Sequence, residues 1–170
     1  VKNPSLMLVP IDDHLVHRGD GVFEAFKVIA GKYYLLKEHL DRLERSAKAI
    51  ELEWPCSREE MIEIIRQVYA VTKEENALFR LYISRGPGGF STNPYECVAS
   101  QLYIVATRYQ PVSTEKYETG VRVGRSEVPI KEGWLAQVKS CNYLPNVMMK
   151  KEAVDRGFDF TVTFTAEGHL

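Results

Sequence analysis

The feature that most restricts the fold of this chain is a change in the spacing of its apolar residues near Lys37. Before that point, Val22–Ile29 alternates apolar and polar residues, as in a strand with one buried face. After it, apolar residues recur at helical spacing over about Lys37–Leu52, at Leu40, Leu43, Ala47 and Ile50. A chain that changes period in this way needs both helices and strands, so we predict an α+β fold.

Turn, capping and periodicity signals predict the remaining elements. In the first part of the chain they predict strands at Leu6–Pro10, Tyr33–Leu36, Ala77–Ser84 and Gln101–Arg108, and a helix opened by a Ser57/Glu60 capping box. A turn at Gly31-Lys32 would join two strands in a hairpin: Val22–Ile29, which follows Gly19-Asp20-Gly21, and Tyr33–Leu36. In the last part they predict a strand at Gly120–Arg125, a helix at Asn142–Arg156 and a strand at Phe158–Phe164.

Polar residues around Pro111 mark the best boundary between domains. We therefore predict a small N-terminal α/β domain over residues 1–110, a linker at 111–118, and the first part of a larger second domain at 119–170. The chain of 170 residues begins at Val1 rather than Met and ends just after a turn at Glu167-Gly168. We expect it to be a segment of a longer protein, truncated at both ends.

Charge and cysteine content exclude several kinds of partner. Twenty-two basic and 23 acidic residues carry no long run of one sign, which argues against nucleic acid or an anionic membrane. Three cysteines without CxxC spacing argue against a disulfide framework or a metal site. No apolar run is long enough for a membrane span, and no signal-peptide pattern opens the chain, so we expect a cytoplasmic protein.

Four features could carry chemistry. Lys139, near a helix start, would attack a carbonyl if buried, but by itself a lysine is more often a solvated surface residue. Arg42 points about 120° from its helix's apolar stripe, and could bind a phosphate or pair with Glu38. Arg80 interrupts an apolar strand and therefore needs a specific partner, either structural or substrate.

The fourth feature is Phe23-Glu24, whose side chains would face opposite sides of their strand, one of them away from the core. The glycine-rich loop Ser84–Thr92 matches neither a Walker A loop nor a dinucleotide-binding fingerprint, and is typical of a wide hairpin loop.

Taken together, four motifs in order resemble the class IV, fold-type IV, pyridoxal-phosphate enzymes. They are Arg18-Gly19-Asp20-Gly21-Val22-Phe23-Glu24, His39-Leu40-Asp41-Arg42-Leu43, Arg80-Leu81-Tyr82-Ile83-Ser84-Arg85-Gly86 and Lys139-Ser140-Cys141-Asn142-Tyr143-Leu144. That family contains branched-chain aminotransferases, D-amino acid aminotransferases and aminodeoxychorismate lyase. The resemblance implies that Lys139 forms the internal aldimine with pyridoxal 5'-phosphate and moves the proton between Cα and C4′. It also implies that Arg42 binds the cofactor phosphate, that Tyr143 contacts the cofactor ring, and that Phe23 and Arg80 lie on the substrate side.

The carboxylate that such enzymes place at the ring nitrogen should follow Leu170, with Glu167 as the less favoured candidate. The resemblance implies amino transfer between an amino acid, with branched-chain amino acids among the candidates, and a 2-oxo acid, in a homodimer. The arginine and histidine of strictly D-specific relatives have no counterpart among Pro87–Asn93. Two alternatives stay open: aminodeoxychorismate lyase, which the Ser84–Thr92 loop resembles, and a non-catalytic fragment that serves only in packing or dimerisation.

Overall fold

The computed structural model describes residues 7–170, which divide into two compact units. The first contains the described residues up to Tyr109 together with Gln137–Cys141. The second contains Gln110–Ala136 and Asn142–Leu170.

The first unit is built on a four-stranded antiparallel sheet. Its strands are β1 (Gly21–Ile29), β2 (Lys32–Tyr33), β3 (Ala77–Ser84) and β4 (Gln101–Arg108), in the order β2-β1-β3-β4. In this register Glu24 of β1 lies opposite Leu81 of β3, which lies opposite Ile104 of β4. Because side chains alternate along a strand, these three residues share one face of the sheet.

Helices α2 (Leu36–Ala49) and α3 (Arg58–Thr72) supply the rest of the core of this unit. The predicted capping box opens α3: Ser57 Oγ accepts from the Glu60 N–H at 3.2 Å, and a Glu60 carboxylate oxygen accepts from the Ser57 N–H at 2.8 Å. The fully buried apolar side chains come from both helices and from the sheet, and include Val22, Val28, Leu40, Leu43, Met61, Ile65, Phe79, Leu81 and Ile83.

One predicted strand is wrong in this unit and another is displaced. The predicted hairpin forms, but its second strand is β2 (Lys32–Tyr33) and shares only Tyr33 with the predicted Tyr33–Leu36, because Leu35 takes a left-handed backbone (φ 50°) and α2 begins at Leu36. Residues 7–10 form no strand, and Leu6 lies outside the described residues.

A short helix, α1 (His14–Arg18), was not predicted from the sequence. The Asp13 carboxylate caps its start by accepting from the Leu15 N–H at 2.8 Å, and Gly19 ends it with φ 66°. Five residues are too few to show a helical period, so only the cap could have indicated this helix.

The second unit pairs two parallel strands, β5 (Val123–Arg125) and β6 (Phe160–Val162), with helix α5 (Leu144–Asp155). All three elements occur where they were predicted, although each is shorter than its predicted range. A further helix, α4 (Thr114–Thr119), occupies much of the segment predicted as a linker. Both units combine helices with strands, which confirms the predicted fold class. Among residues 7–170, no helix has both the length and the apolar character needed to cross a bilayer.

Candidate active site

The main chain of Lys139 is fixed by hydrogen bonds to a strand and a helix of the first unit. The Phe23 N–H of β1 donates to the Lys139 carbonyl at 3.0 Å, and the Cys141 N–H donates to the Gly21 carbonyl at 2.8 Å. On the other side, the Lys139 N–H donates to Ser46 Oγ of α2 at 3.2 Å. The segment Lys139–Cys141 therefore lies along the first half of β1, to which it is joined by an isolated antiparallel bridge between Ser140 and Val22.

The Lys139 side chain lies over an aromatic surface. Its Nζ is 4.1 Å from the centroid of the Phe23 ring, which stacks on Tyr82 with 5.8 Å between ring centroids. An ammonium group at this distance from a ring face is attracted by the ring quadrupole. The contact holds the amine over the face of the sheet opposite the helices, which we call the lysine face.

The lysine face carries two of the other predicted residues. Phe23 lies on it, half-buried, which confirms that one residue of the Phe23-Glu24 pair faces away from the helix-packed core. Arg80 is also on it, since Arg80 pairs with Ala25 of β1 and Ala25 alternates with Phe23. The Arg80 Nη1 lies 3.4 Å from the Thr107 hydroxyl of β4, so the partner that its strand position required is at least partly structural.

Arg42 forms an ion pair with Glu24 across the other face of β1. Its Nε and Nη2 donate to the two carboxylate oxygens of Glu24, the second at 2.8 Å, while the His39 Nδ1 lies 2.9 Å from the same carboxylate. Glu24 is fully buried, whereas 48% of the Arg42 side chain is exposed. Burial raises the pKa of Glu24, but hydrogen bonds from Arg42 and His39 outweigh burial and keep this pKa below the ordinary 4.5.

Arg42 and Lys139 are held by the same helix. Ser46, which accepts from the Lys139 N–H, follows Arg42 by four residues on α2, about one helical turn or 6 Å along the axis. The sequence placed these two residues almost one hundred positions apart. The structure brings both onto the framework of α2 and β1.

Tyr143 and Glu167 belong to the second unit. Tyr143 immediately precedes α5, and the Lys131 Nζ lies 5.4 Å from its ring centroid. Glu167 is exposed in the turn where the Gly168 N–H donates to the Thr165 carbonyl at 3.0 Å. The cofactor roles of both residues stay predictions.

Sequence reasoning missed a buried carboxylate beside the lysine face. Asp13 is fully buried and accepts from the Tyr103 hydroxyl at 2.7 Å and from the Ser84 hydroxyl. Tyr103 pairs with Tyr82 in the sheet, and therefore also lies on the lysine face. Burial and the bond to Asp13 raise the pKa of Tyr103 well above 10.0, so this phenol stays protonated. The polar run at Asp12-Asp13-His14 was visible in the sequence, but its partner on β4 was not.

The loop after β3 is tied to the start of the chain. Arg85 of this loop already meets a carboxylate: it donates to both oxygens of Asp20, at 2.8 and 3.1 Å. It also donates to the carbonyls of Ile50 and Glu51, just past the end of α2. His14 lies 3.0 Å from the Gly89 carbonyl. These bonds fix the loop and leave Arg80, rather than Arg85, as the arginine of the lysine face.

Comparison with known proteins decides the family. The sequence model of the class IV amino-transferases matches residues 21–170, which include Lys139, Arg42, Phe23, Arg80 and Tyr143. The chain belongs to the class IV aminotransferases. Its resemblance to that family, read from four motifs, is thereby confirmed, and the enzymes of this class depend on pyridoxal phosphate.

The relatives of this class IV chain are named for different substrates. It is 39% identical over 155 residues to a D-amino-acid transaminase, chloroplastic, of Arabidopsis thaliana, with 91% of the chain and 41% of that protein covered. It is 33% identical over 151 residues to a putative branched-chain-amino-acid aminotransferase of Methanocaldococcus jannaschii, with 89% and 52% covered. The chain thus spans about half the length of the curated relatives it matches.

A solved structure shows the same fold. The branched-chain amino acid aminotransferase of Escherichia coli superposes with a TM-score of 0.86 at 22% identity, covering 97% of the chain and 57% of that protein. At this identity the match supports the fold, and it confirms the predicted fold type of the family.

Proposed function

We propose that this chain carries the lysine of a pyridoxal-phosphate-dependent aminotransferase that moves an amino group between an amino acid and a 2-oxo acid. The observation that carries this proposal is the placement of the Lys139 amine 4.1 Å from the Phe23 ring, with its main chain bonded to both β1 and α2.

The side chains of the first unit fit the cofactor in chemical type. A primary amine, Lys139, suits the aldehyde carbon of pyridoxal phosphate, and a guanidinium, Arg42, suits its phosphate. When bound, the cofactor accepts the electron pair that is released at the substrate Cα. We propose that Lys139 Nζ accepts and returns the Cα proton, that Arg42 binds the phosphate, and that Tyr143 contacts the cofactor ring.

The residues of the lysine face would form the substrate side of the proposed active site. Phe23, Tyr82 and Val105 present apolar surface that would pack against an apolar or branched side chain and exclude water. Arg80, on the same face, would meet a carboxylate of the amino acid or the 2-oxo acid. This mixture favours a transaminase for apolar amino acids that uses a dicarboxylic partner such as 2-oxoglutarate.

The test compares two lysine substitutions in the protein as its gene encodes it. Lys139→Ala should abolish both the visible absorbance of lysine-bound cofactor and amino transfer to 2-oxoglutarate. Lys48→Ala is the matched control, because Lys48 is 75% exposed and pairs only with Glu44 among the described residues, so it should change neither. Turnover that survives Lys139→Ala, or a wild-type protein that takes up no cofactor, would refute the proposal.

The same assay separates the lyase alternative, which the Ser84–Thr92 loop favours. A lyase releases pyruvate from aminodeoxychorismate and needs no amino acceptor, whereas a transaminase requires the 2-oxo acid. Pyruvate release without an acceptor would therefore move the assignment to the lyase. Assay of the 170-residue chain alone tests the non-catalytic alternative, because any turnover by that chain excludes it.

We also propose a homodimer in the cytoplasm. The loop after β3 exposes Phe90 (63%), Tyr95 (89%) and Val98 (81%), apolar surface of the kind that interfaces cover. Cys56, Cys97 and Cys141 are free thiols, which suit a reducing compartment. Sedimentation equilibrium at micromolar concentration should give twice the monomer mass, and Tyr95→Ser should weaken the association.

A further inference from the structure

We propose that Glu24 is a positioning residue that fixes the Arg42 guanidinium for the phosphate of the cofactor, at a set distance from Lys139. The inference rests on the proposed function, since it assumes that Arg42 binds that phosphate. It is carried by the juxtaposition of Phe23 and Glu24. These neighbours on β1 hold the candidate amine on one face of the sheet and the candidate phosphate ligand on the other.

Glu24 occupies a position where an apolar residue would be expected. Its side chain is fully buried on the core face of the sheet. Val22 and Phe26 are its neighbours on the same face of β1, and Leu81 lies opposite it on β3. Its carboxylate is bonded by Arg42 at both oxygens, by His39 at 2.9 Å and by the Ala25 N–H at 3.2 Å. A carboxylate in such surroundings is stable only with this many partners.

Stability alone does not account for this arrangement. Moving a carboxylate out of water costs several kcal/mol, and a well-packed apolar residue in place of a buried ion pair is often neutral or stabilising. Arg42, half-exposed, could be solvated by water without Glu24. The specific effect of the pair is on geometry, because two parallel N–H···O bonds fix both the position and the plane of a guanidinium.

The same strand fixes the lysine. The Phe23 N–H donates to the Lys139 carbonyl, and the Phe23 ring lies under Nζ. Consecutive residues on one rigid strand thus locate the amine and the guanidinium, and α2 ties them again through Ser46. A cofactor joined to the protein at its aldehyde carbon and at its phosphate needs this separation to be constant, and preorganisation of that kind is what lowers the cost of binding.

Glu24→Gln keeps the shape of the side chain and removes its charge, and the test measures binding rather than turnover. Dissociation constants are determined for pyridoxal phosphate and for pyridoxal, which lacks the phosphate, in the protein as its gene encodes it. We expect Glu24→Gln to weaken pyridoxal phosphate on the order of tenfold, as loss of a supporting residue does at other ligand sites, and to leave pyridoxal within about twofold. Glu44→Gln, which removes the charge of a carboxylate on the same helix that is 40% exposed and pairs with Lys48 and Arg58, is the matched control and should change neither constant.

If Glu24→Gln fails to fold, Glu24→Asp is the second variant to measure, and a double substitution with Arg42→Ala tests whether Glu24 acts through Arg42. Glu24→Asp retains the charge but is one methylene too short to keep both bonds to Arg42, and should show the same phosphate-selective loss. In an Arg42→Ala background, Glu24→Gln should cause no further change in the ratio of the two constants, because Glu24 acts through Arg42.

The outcomes distinguish this inference from the proposed function. If the wild-type protein binds both probes and the Glu24 variants weaken both equally, Glu24 supports only the fold, and the inference is overturned while the proposed function stands. If the wild-type protein binds neither probe, the proposed function fails and the inference fails with it.

Discussion

Replacing Tyr103 with phenylalanine would remove one hydroxyl group from a buried network and change little else. Tyr103 donates to Asp13 Oδ2 at 2.7 Å, and Asp13 is fully buried. The other bonds to this carboxylate, from the Leu15 N–H and the Ser84 hydroxyl, go to Oδ1. Among the described residues, Tyr103→Phe therefore leaves Oδ2 of a buried Asp13 carboxylate without its donor.

The size of the effect follows from these contacts. A hydrogen bond to a charged group contributes about 1.5–3 kcal/mol, and loss of the donor forfeits that amount because water does not reach a fully buried oxygen. For a chain of this length, each kcal/mol lowers the melting temperature by about 2–4 °C, so the variant should melt roughly 3–12 °C below the wild type. The free energy of unfolding should fall by a matching amount in urea.

The assay is thermal and urea unfolding followed by circular dichroism, with Tyr117→Phe as the matched control. That substitution removes the same hydroxyl from a side chain that is 79% exposed, and should change stability by less than about 0.5 kcal/mol. Because the pKa of Tyr103 is raised above 10.0, its contribution is complete below pH 10 and declines as the pH rises further. Equal stabilities of the two variants at neutral pH would refute the assignment of a stabilising bond between Tyr103 and the buried Asp13.

Three further outcomes are expected. Since the pKa of Glu24 lies below 4.5, its stabilisation is present above pH 4.5 and is lost on further acidification, so the stability of Glu24→Gln should depend less on pH between 5 and 2. Ser46→Ala removes the acceptor of the Lys139 N–H; it should cost about 1 kcal/mol in urea and speed hydrogen exchange at that amide. Gly21→Ala would place Cβ 2.7 Å from the Ile83 carbonyl oxygen and should destabilise the sheet by about 1–3 kcal/mol, again measured in urea.

Periodicity predicted the elements whose burial is one-sided. The alternation of Val22–Ile29 became β1, and the stripe beginning at Leu40 became the buried face of α2, because one face of each packs on a core. The hairpin predicted around Gly31-Lys32 formed, but its second strand ends at Tyr33 rather than Leu36, because the chain turns there and a left-handed residue at Leu35 precedes a helix. Local apolar composition does not report such a change of backbone direction.

The partners of charged residues were harder to predict than the residues themselves. Arg42 was singled out for its direction on the helix, but its ion pair with Glu24 joins residues 18 positions apart through the packing of a helix on a sheet. Likewise, no pattern near Lys139 indicates that its main chain pairs with Gly21 and Phe23 of β1. Tertiary contacts of this kind depend on register, which no single segment encodes.

The pairing of Lys139–Cys141 with β1 also covers part of an edge of the sheet. β2 covers β1 only at Val28 and Ile29, so without this segment the start of β1 would present unpaired N–H and C=O groups at a sheet edge. Exposed edges of this kind recruit strands from other molecules. Damage that detaches the lysine segment should therefore lower the solubility of the protein at the same time as it displaces Lys139.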